Sequence, residues 1–260
     1  MDTRTAVFTE TRPLLFSIAY RMLGSVADAE DLVQDSYLRW IEASDAEIRE
    51  PRAYLATIVT RLAINQLRSA RIQRESYIGP WLPEPLVTDH APDPSEPVEL
   101  AESLSMAFLV MLERLSPIER AVLLLRDVFD FDYAEIAHIV EKSEANCRQI
   151  LARAKQHMGA AEPRYDVDRV QADRLLQRFT EASGAGDIGG LLAVLAEDIT
   201  LWADGGGKAR GAPMRPVHGV EPVARFIAGV TQRFVPAART MRAARINGEP
   251  GFIVYVSGRP

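Results

Sequence analysis

Residues 116–158 of this 260-residue chain read SPIERAVLLLRDVFDFDYAEIAHIVEKSEANCRQILARAKQHM and predict three consecutive short helices. Ser116 is an N-cap residue followed by a proline at the first helical position, and Glu119 is the acid at the third position. Asp132 and Glu135 repeat this start signal sixteen residues later, ahead of apolar residues at helical spacing. The stretch therefore predicts an all-helical segment whose helices each carry their own start signal.

The third helix of this stretch has two chemically different faces. Ser143 caps it, and the face predicted to be buried contains Cys147, Ile150, Leu151 and Ala154. The opposite face contains Ala145, Arg148, Gln149, Arg153 and Gln156. Two helices joined by a short turn, with hydrogen-bond donors on the outer face of the second, are typical of a helix-turn-helix. Arg148 and Gln149 are types that read base edges, whereas Arg153 and Lys155 suit phosphates. The alternative is three ordinary amphipathic helices in an all-α domain.

Composition predicts a cytoplasmic globular protein of one large domain or two to three small ones. Hydrophobic residues make up 47% and charged residues 25%, which is enough to build packed cores. Cys147 is the single cysteine, so a disulfide within the chain is excluded. The first fifteen residues lack the apolar core of a signal peptide, and no run of about 18 apolar residues follows, so we expect no membrane span.

Charge is segregated in the first third of the chain, although the net charge is only −6. Residues 28–50 contain eight acids and two arginines, whereas residues 52–74 contain five arginines and no acid. A helix with a basic stripe beside polar amides is typical of a nucleic-acid face. The alternative is a solvated helix surface whose charges are segregated by chance.

Three motifs, in this order, resemble the sigma-70 family of bacterial transcription factors. They are DAEDLVQDSYLRW (28–40), NQLRSAR (65–71) and LERLSPIERAVLLLRDVFDFDYAEIAHIVEKSEANCRQILARAK (112–155). The type that they resemble is the small extracytoplasmic-function class, which has regions two and four only, and the resemblance covers roughly residues 5–160. It implies a surface for core RNA polymerase, which binds through the β′ clamp helices and the β flap, and two surfaces for promoter DNA, at the −10 and −35 elements. It implies no catalytic residue, metal or cofactor.

The resemblance assigns residues to each surface. The polymerase-binding positions are Asp28, Glu30, Asp31, Leu32, Gln34 and Asp35. The −10 strand contacts are Arg61, Asn65, Arg68 and Arg71. The −35 contacts are Ser143, Ala145, Asn146, Arg148, Gln149 and Arg153. Asn65 stands where the family often has Asp, so it keeps the hydrogen-bond acceptor without the charge.

The remaining residues predict a linker and an α+β domain. Residues 78–100 contain six of the chain's 16 prolines and have no helical period, so we expect an extended linker. Helices followed by strands that flank one more helix are typical of an α+β fold. This part resembles the SnoaL-like, NTF2-like fold, a curved sheet wrapped by helices into a cone, which some sigma factors of this class carry. The chain stops at Pro260 soon after the last predicted strand, so we expect an incomplete cone.

Two short motifs of that subgroup recur here and imply a regulatory interface. They are WLPEP in the linker and DGGGK in the added domain, namely Trp81, Leu82, Pro83, Glu84, Pro85, Asp204, Gly205, Gly206, Gly207 and Lys208. The alternative for the linker motif is that Trp81 merely packs on its neighbouring domain. The resulting domain prediction is region two at 1–77, the linker at 78–100, region four at 101–162 and the SnoaL-like domain at 163–260.

Two other functions stay open from the residues. The chain could be a DNA-binding regulator that responds to a small ligand in the cone. It could also be a SnoaL-like enzyme with a DNA-binding appendage, since Trp202, Asp204, Lys208 and His218 could supply a catalytic pair with partners. His218 is expected in a loop, where a surface role is more common than catalysis, and fold analogy alone does not give an activity.

Overall fold

The computed structural model divides the described part of the chain into two compact units. The described residues are 3–43, 48, 50–74, 81–88, 105–158, 169–205, 211–234, 236, 239–256 and 258. Described residues up to 74, together with 83–86 and 105–158, form the first unit. Residues 81–82 and 87–88 belong to the second unit with those from 169 onward. Each unit therefore includes a part of the predicted linker.

Three long helices begin the first unit. They are α1 (Thr3–Leu23), α2 (Val26–Glu42) and α3 (Pro51–Arg74). Gly24 ends α1 with φ +70°, a left-handed conformation that glycine adopts without steric cost. Ser25 then caps α2, because its side chain accepts a hydrogen bond from the Asp28 backbone N–H at 3.3 Å. Gly24 and Ser25 therefore end one helix and start the next.

Four shorter helices complete the first unit and confirm the three predicted from residues 116–158. They are α4 (Met106–Leu112), α5 (Pro117–Leu123), α6 (Tyr133–Val140) and α7 (Glu144–Met158). Ser116 with Glu119, and Asp132 with Glu135, form reciprocal capping boxes at the starts of α5 and α6. A π-helical turn at Leu124–Val128 separates these two helices. The sequence patterns did not predict α4.

One hydrophobic core serves both groups of helices in the first unit. Leu15 of α1 and Val59 of α3 lie in the same buried cluster as Ile136 of α6 and Cys147 of α7. Each of these four side chains is completely buried. The helices before the linker and those after it are therefore packed on one another in this structure.

The second unit has the α+β composition that the sequence predicts. Its helices are α8 (Arg169–Ala185), α9 (Ile188–Leu192) and α10 (Val220–Phe234), and its strands are β1 (Thr200–Leu201), β2 (Val217–His218), β3 (Arg239–Ile246) and β4 (Glu249–Val256). His218 lies in β2, opposite Thr200, and so the prediction that it occupies a loop is wrong. Such a short strand has no period that sequence alone can detect.

The described strands form two separate antiparallel pairs, β1–β2 and β3–β4. In the second pair Arg239 lies opposite Val256, and Ile246 lies opposite Glu249. Asn247 and Gly248 connect them with φ of +52° and +80°, the backbone that two-residue hairpin turns require. Within the described residues, the strands of the expected cone therefore form two small sheets of two strands each.

The core of the second unit is small. Its buried members are Ala182, Leu191, Ala224 and Ala228, with Phe179, Leu195 and Ile227 packed against them. Val170 and Leu175 of α8 are exposed. The buried face of α8 is narrow, because its contacts with α9 and α10 centre on Phe179 and Ala182.

Among the described residues, no helix is both long enough and apolar enough to span a bilayer.

Candidate nucleic-acid and partner interfaces

The outer face of α7 presents the predicted base-reading residues to solvent. Its inner residues Cys147, Ile150, Leu151 and Ala154 are buried in the first unit. The −35 candidates Ser143, Ala145, Arg148, Gln149 and Arg153 are exposed, and Asn146 is half-buried. The Ser143 hydroxyl accepts from the Asn146 backbone N–H at 3.2 Å, which fixes the start of the helix. The helix is therefore held by one face and leaves the other free for a major groove.

The Arg148 guanidinium is oriented by two neighbours. It lies 4.6 Å from the centre of the Tyr133 ring, in cation–π geometry, and its Nη2 donates to Glu144 Oε2 at 3.0 Å. Tyr133 is the first residue of α6, so the first helix of the pair positions a base-reading candidate on the second. Such preorganisation lowers the entropy that a bidentate contact to a base would cost.

Cys147 has a structural position beneath this face. Burial raises the pKa of its thiol, and Glu144 adds to the rise. A buried thiol of raised pKa is a poor nucleophile and a poor metal ligand at neutral pH. In the described part of the chain, His, Cys, Asp and Glu side chains form no group of three that could hold a metal ion.

The outer face of α2 combines acids with large apolar side chains. Asp31, Gln34 and Asp35 are exposed, as predicted for a partner surface. Leu38 and Ile41 extend the same face and are 49% and 45% exposed. The sequence patterns did not predict these two residues. Leu38 follows Gln34 by four residues and Asp35 by three, and Ile41 follows Leu38 by three, so their spacing did place them on this helix face. An acidic and apolar helix face of this kind fits a basic, partly apolar partner.

Three of the predicted polymerase-binding residues are less available on α2. Leu32 is 5% exposed and belongs to the core, so it supports the helix from inside and does not line its outer face. Glu30 forms an ion pair with Arg12 of α1. Asp28 is half-buried in the first turn of the helix. The exposed surface is thus shifted towards the C-terminal half of α2.

The −10 candidates of α3 face the helix-turn-helix in this structure. Arg61 donates to backbone carbonyls at the end of α6, and Asn65 and Arg68 line a cavity of about 170 Å³ together with residues 139–141. The side chain of Arg71 lies outside the described residues. The basic stripe is therefore present on α3, but part of it is occupied by contacts within the first unit.

The linker motif makes specific contacts at Glu84 within the first unit. The Glu84 backbone N–H donates to the Gly24 carbonyl at 2.7 Å, and its own carbonyl accepts from the Tyr20 hydroxyl at 2.6 Å. Its carboxylate accepts from the Val26 backbone N–H at 2.8 Å. Because Val26 is the first residue of α2, Glu84 supplies a negative charge at that helix N-terminus. Pro83 beside it is buried.

Within the second unit, the other end of the motif contacts the DGGGK segment. The Leu82 backbone N–H donates to Asp204 Oδ2 at 3.0 Å. Gly205 is described, whereas Gly206, Gly207 and Lys208 lie outside the described residues. Farther along the linker, Thr88 donates its backbone N–H to the Arg245 carbonyl at 2.7 Å, next to a bridge between Val87 and Ile246 of β3.

The residues considered for catalysis have ordinary structural contacts. His218 Nδ1 lies 3.1 Å from Thr200 Oγ1, across the β1–β2 pair. Asp204 Oδ2 accepts a hydrogen bond from the Leu82 backbone N–H, so this carboxylate holds the backbone of the linker. Trp202 is 43% exposed.

The helical first unit, with an acidic face on α2 and a donor-rich face on α7, is typical of a bacterial transcription initiation factor, and comparisons with known proteins agree. Residues 7–72 match the family described as Sigma-70 region 2, and residues 105–158 match Sigma-70, region 4. The chain belongs to the extracytoplasmic-function sigma factors of the sigma-70 family.

Two sigma factors of Mycobacterium tuberculosis are similar to nearly the whole of this chain. The ECF RNA polymerase sigma factor SigJ is 41% identical over 256 residues, which cover 97% of this chain and 81% of that protein. A probable ECF RNA polymerase sigma factor of the same organism, SigI, is 31% identical over 98% of this chain and 86% of its own length. The crystal structure of Mycobacterium tuberculosis SigJ superposes with a TM-score of 0.76 at 37% identity, over 98% of this chain and 87% of that one. The similarity therefore extends through the C-terminal unit.

Proposed function

We infer that this chain is an RNA polymerase sigma factor that directs promoter-specific transcription initiation and is regulated by its own C-terminal unit. The sigma function is supported by two faces that lie in one unit: an acidic and apolar face on α2 and a donor-rich face on α7. A repressor needs only the second of these faces. A protein that brings a polymerase to a promoter needs both.

Each surface has a separate task in this proposal. The outer face of α2 binds the β′ clamp helices of core polymerase, and the helix-turn-helix region meets the β flap. Asn65 and Arg68 of α3, with Arg61, hold the melted −10 strand, where a positive surface and an amide suit backbone and base. Arg148 and Gln149 of α7 read the −35 element in the major groove. Because these partners are cytoplasmic in bacteria, we place the chain there.

The polymerase carries out the chemistry, so this proposal assigns no catalytic residue to the chain. Asp204, the carboxylate that an enzyme of the SnoaL type would need, already accepts a backbone hydrogen bond from Leu82. We therefore favour regulation over catalysis as the role of the second unit.

The linker is the proposed route of that regulation. Leu82 is bonded to Asp204 of the second unit, and Glu84, two residues later, is bonded to the turn between α1 and α2 of the first. The same pentapeptide thus contributes to both units. In this proposal a change at Asp204 alters the position of Leu82 and, through Pro83 and Glu84, the contacts at the N-terminus of α2, the proposed polymerase-binding helix.

Replacing Asp204 by alanine tests this route. Loss of the acceptor for the Leu82 N–H removes about 1 kcal/mol, so we expect the Leu82 amide to exchange its hydrogen about fivefold faster. We expect transcription with core polymerase to change by at least about twofold, because a coupling of a few tenths of a kcal/mol is enough. The matched control is Glu197→Ala, an exposed acid in the same unit. If the Leu82 amide exchanges faster but transcription is unchanged, the linker does not transmit regulation from the second unit.

The sigma assignment itself is tested by binding to core polymerase. Labelled chain mixed with core enzyme in the absence of DNA should form a one-to-one complex in fluorescence anisotropy. Retention of promoter duplex by the chain, with no complex with core enzyme, would instead support a ligand-responsive DNA-binding regulator.

A further inference from the structure

Arg61 of α3 caps the C-terminus of α6, the first helix of the helix-turn-helix. Its Nε donates to the Ile139 carbonyl at 3.0 Å, and its Nη2 donates to the His138 carbonyl at 2.8 Å. The same Nη2 lies 3.3 Å from Glu141 Oε1. These contacts join parts of the chain that are 77 and 78 residues apart in sequence.

The end of α6 has a physical need for such a donor. Glu141 ends the helix in a left-handed conformation with φ +56°, and its N–H and that of Lys142 both go to the Ala137 carbonyl. The carbonyls of His138 and Ile139 are among the last of the helix, which have no partner in the helix itself. A guanidinium supplies two donors and a positive charge at the negative end of the helix dipole.

The same contact covers part of the proposed −10 surface. Asn65 and Arg68 face a cavity of about 170 Å³ whose other wall includes Ile118, Ile139 and Val140 of the later helices. Arg61 also lines a second cavity of about 380 Å³, together with His138. A DNA strand cannot lie along these α3 side chains while α6 remains against them.

Further arginine contacts, in both directions, hold the same two groups of helices together. Arg120 of α5 is buried and donates to the Met22 carbonyl at 2.6 Å, near the end of α1. Arg21 of α1 lies over the Phe129 ring, 5.6 Å from its centre. Each group thus places an arginine on the end of a helix of the other group. We call this arrangement the closed form.

The closed form is too small to read a promoter. The −10 and −35 elements are separated by about 25 base pairs, or ~85 Å of B-form DNA at 3.4 Å per pair. A compact body of about 150 residues has a radius of gyration of only about 15 Å. The helices before and after the linker must therefore separate before α3 and α7 can engage both elements.

We propose that Arg61 is a latch shared between two mutually exclusive partners: the C-terminus of α6 in the closed form, and the promoter strand in the open form. This inference rests on the proposed sigma function. Glu141 favours the closed form because its carboxylate draws the guanidinium to α6. Core polymerase binds the open form. Its apparent affinity for the chain is therefore its affinity for the open form multiplied by the fraction of chain that is open, and the latch lowers that fraction.

Charge reversal at Glu141 tests the latch without changing any residue of the proposed binding surfaces. Glu141→Lys places a cation beside Arg61 and should open the chain, raising apparent affinity for core polymerase about threefold. Opening is followed in the free chain by energy transfer between dyes at Glu10→Cys and Gln156→Cys, two exposed positions on α1 and α7. The native Cys147 is buried and does not compete for label. We expect lower transfer in the Glu141→Lys variant.

Asp130→Lys is the matched control. Asp130 is an exposed acid of the same helical group with φ +53°, and its arginine partner, Arg126, lies four residues away in the same group. Both variants change the net charge equally, so only Glu141→Lys should lower energy transfer and raise polymerase affinity. Equal behaviour of the two variants in both measurements overturns the latch. Lower transfer without any polymerase binding by the wild-type chain would refute the sigma function, yet leave the Arg61 contact supported as a lock on the closed form.

Discussion

Replacing Asp31 and Asp35 with arginine is expected to weaken binding of core polymerase by ~100-fold. The two carboxylates are one helical turn apart on the exposed face of α2, beside Leu38 and Ile41. Reversing a charge that faces an oppositely charged partner turns attraction into repulsion, which costs about 1.5 kcal/mol at each position, and the two add. Since the association precedes every later step, transcription should fall in parallel.

The control for this prediction changes the same net charge elsewhere in the first unit. Glu10→Arg with Asp130→Arg alters two exposed acids that lie outside α2. Binding is measured by anisotropy with core polymerase, and thermal unfolding of each variant checks that α2 still forms. Equal loss of affinity in both double variants would mean that the effect is one of net charge, and α2 would lose its proposed role.

Arg148→Ala is expected to reduce the affinity of holoenzyme for its promoter by about 10- to 100-fold, because a bidentate contact to a base is worth about 1–3 kcal/mol. The loss should depend on sequence. On a template whose −35 element has been replaced, wild-type and variant chains should bind almost alike. Because Arg148 is oriented over the Tyr133 ring, we expect this residue to contact a base of the −35 element more strongly than its neighbours do.

Lys155→Ala provides the comparison. Lys155 forms an ion pair with Asp127 at 2.9 Å near the end of α7, and we expect it to contribute at most a general electrostatic attraction. Its loss should weaken both templates equally. If Arg148→Ala also weakened both templates equally, Arg148 would be a phosphate contact and not a base reader.

Local signals in the sequence predicted the three helices of residues 116–158. The capping boxes at Ser116 and Asp132 act over three residues, so the local sequence contains all the information that they need. The exposed face of α7 followed from the same helical period. The helical period places Leu32 on the inner face of α2 with Ala29 and Val33, where the structure buries it, so only the family resemblance assigned it to the partner surface.

The features that sequence did not predict depend on contacts distant in the chain. The hydrogen bonds of Arg61 to residues 138 and 139 require α3 and α6 to pack together, and no local pattern reports this. The position of His218 in β2 likewise depends on Thr200, eighteen residues earlier. The hairpin β3–β4 was predictable, since Asn247-Gly248 is a strong turn signal between two strand-like runs.

Run-off transcription tests the sigma function itself, with purified chain, bacterial core polymerase and a linear template containing the DNA upstream of the chain's own gene. We expect a transcript of one defined length that appears only when the chain is added. That transcript should be lost with the Asp31→Arg, Asp35→Arg double variant and kept with the Glu10→Arg, Asp130→Arg control. A promoter duplex retained by the chain alone, with no chain-dependent transcript, would contradict the sigma function and point to a DNA-binding regulator.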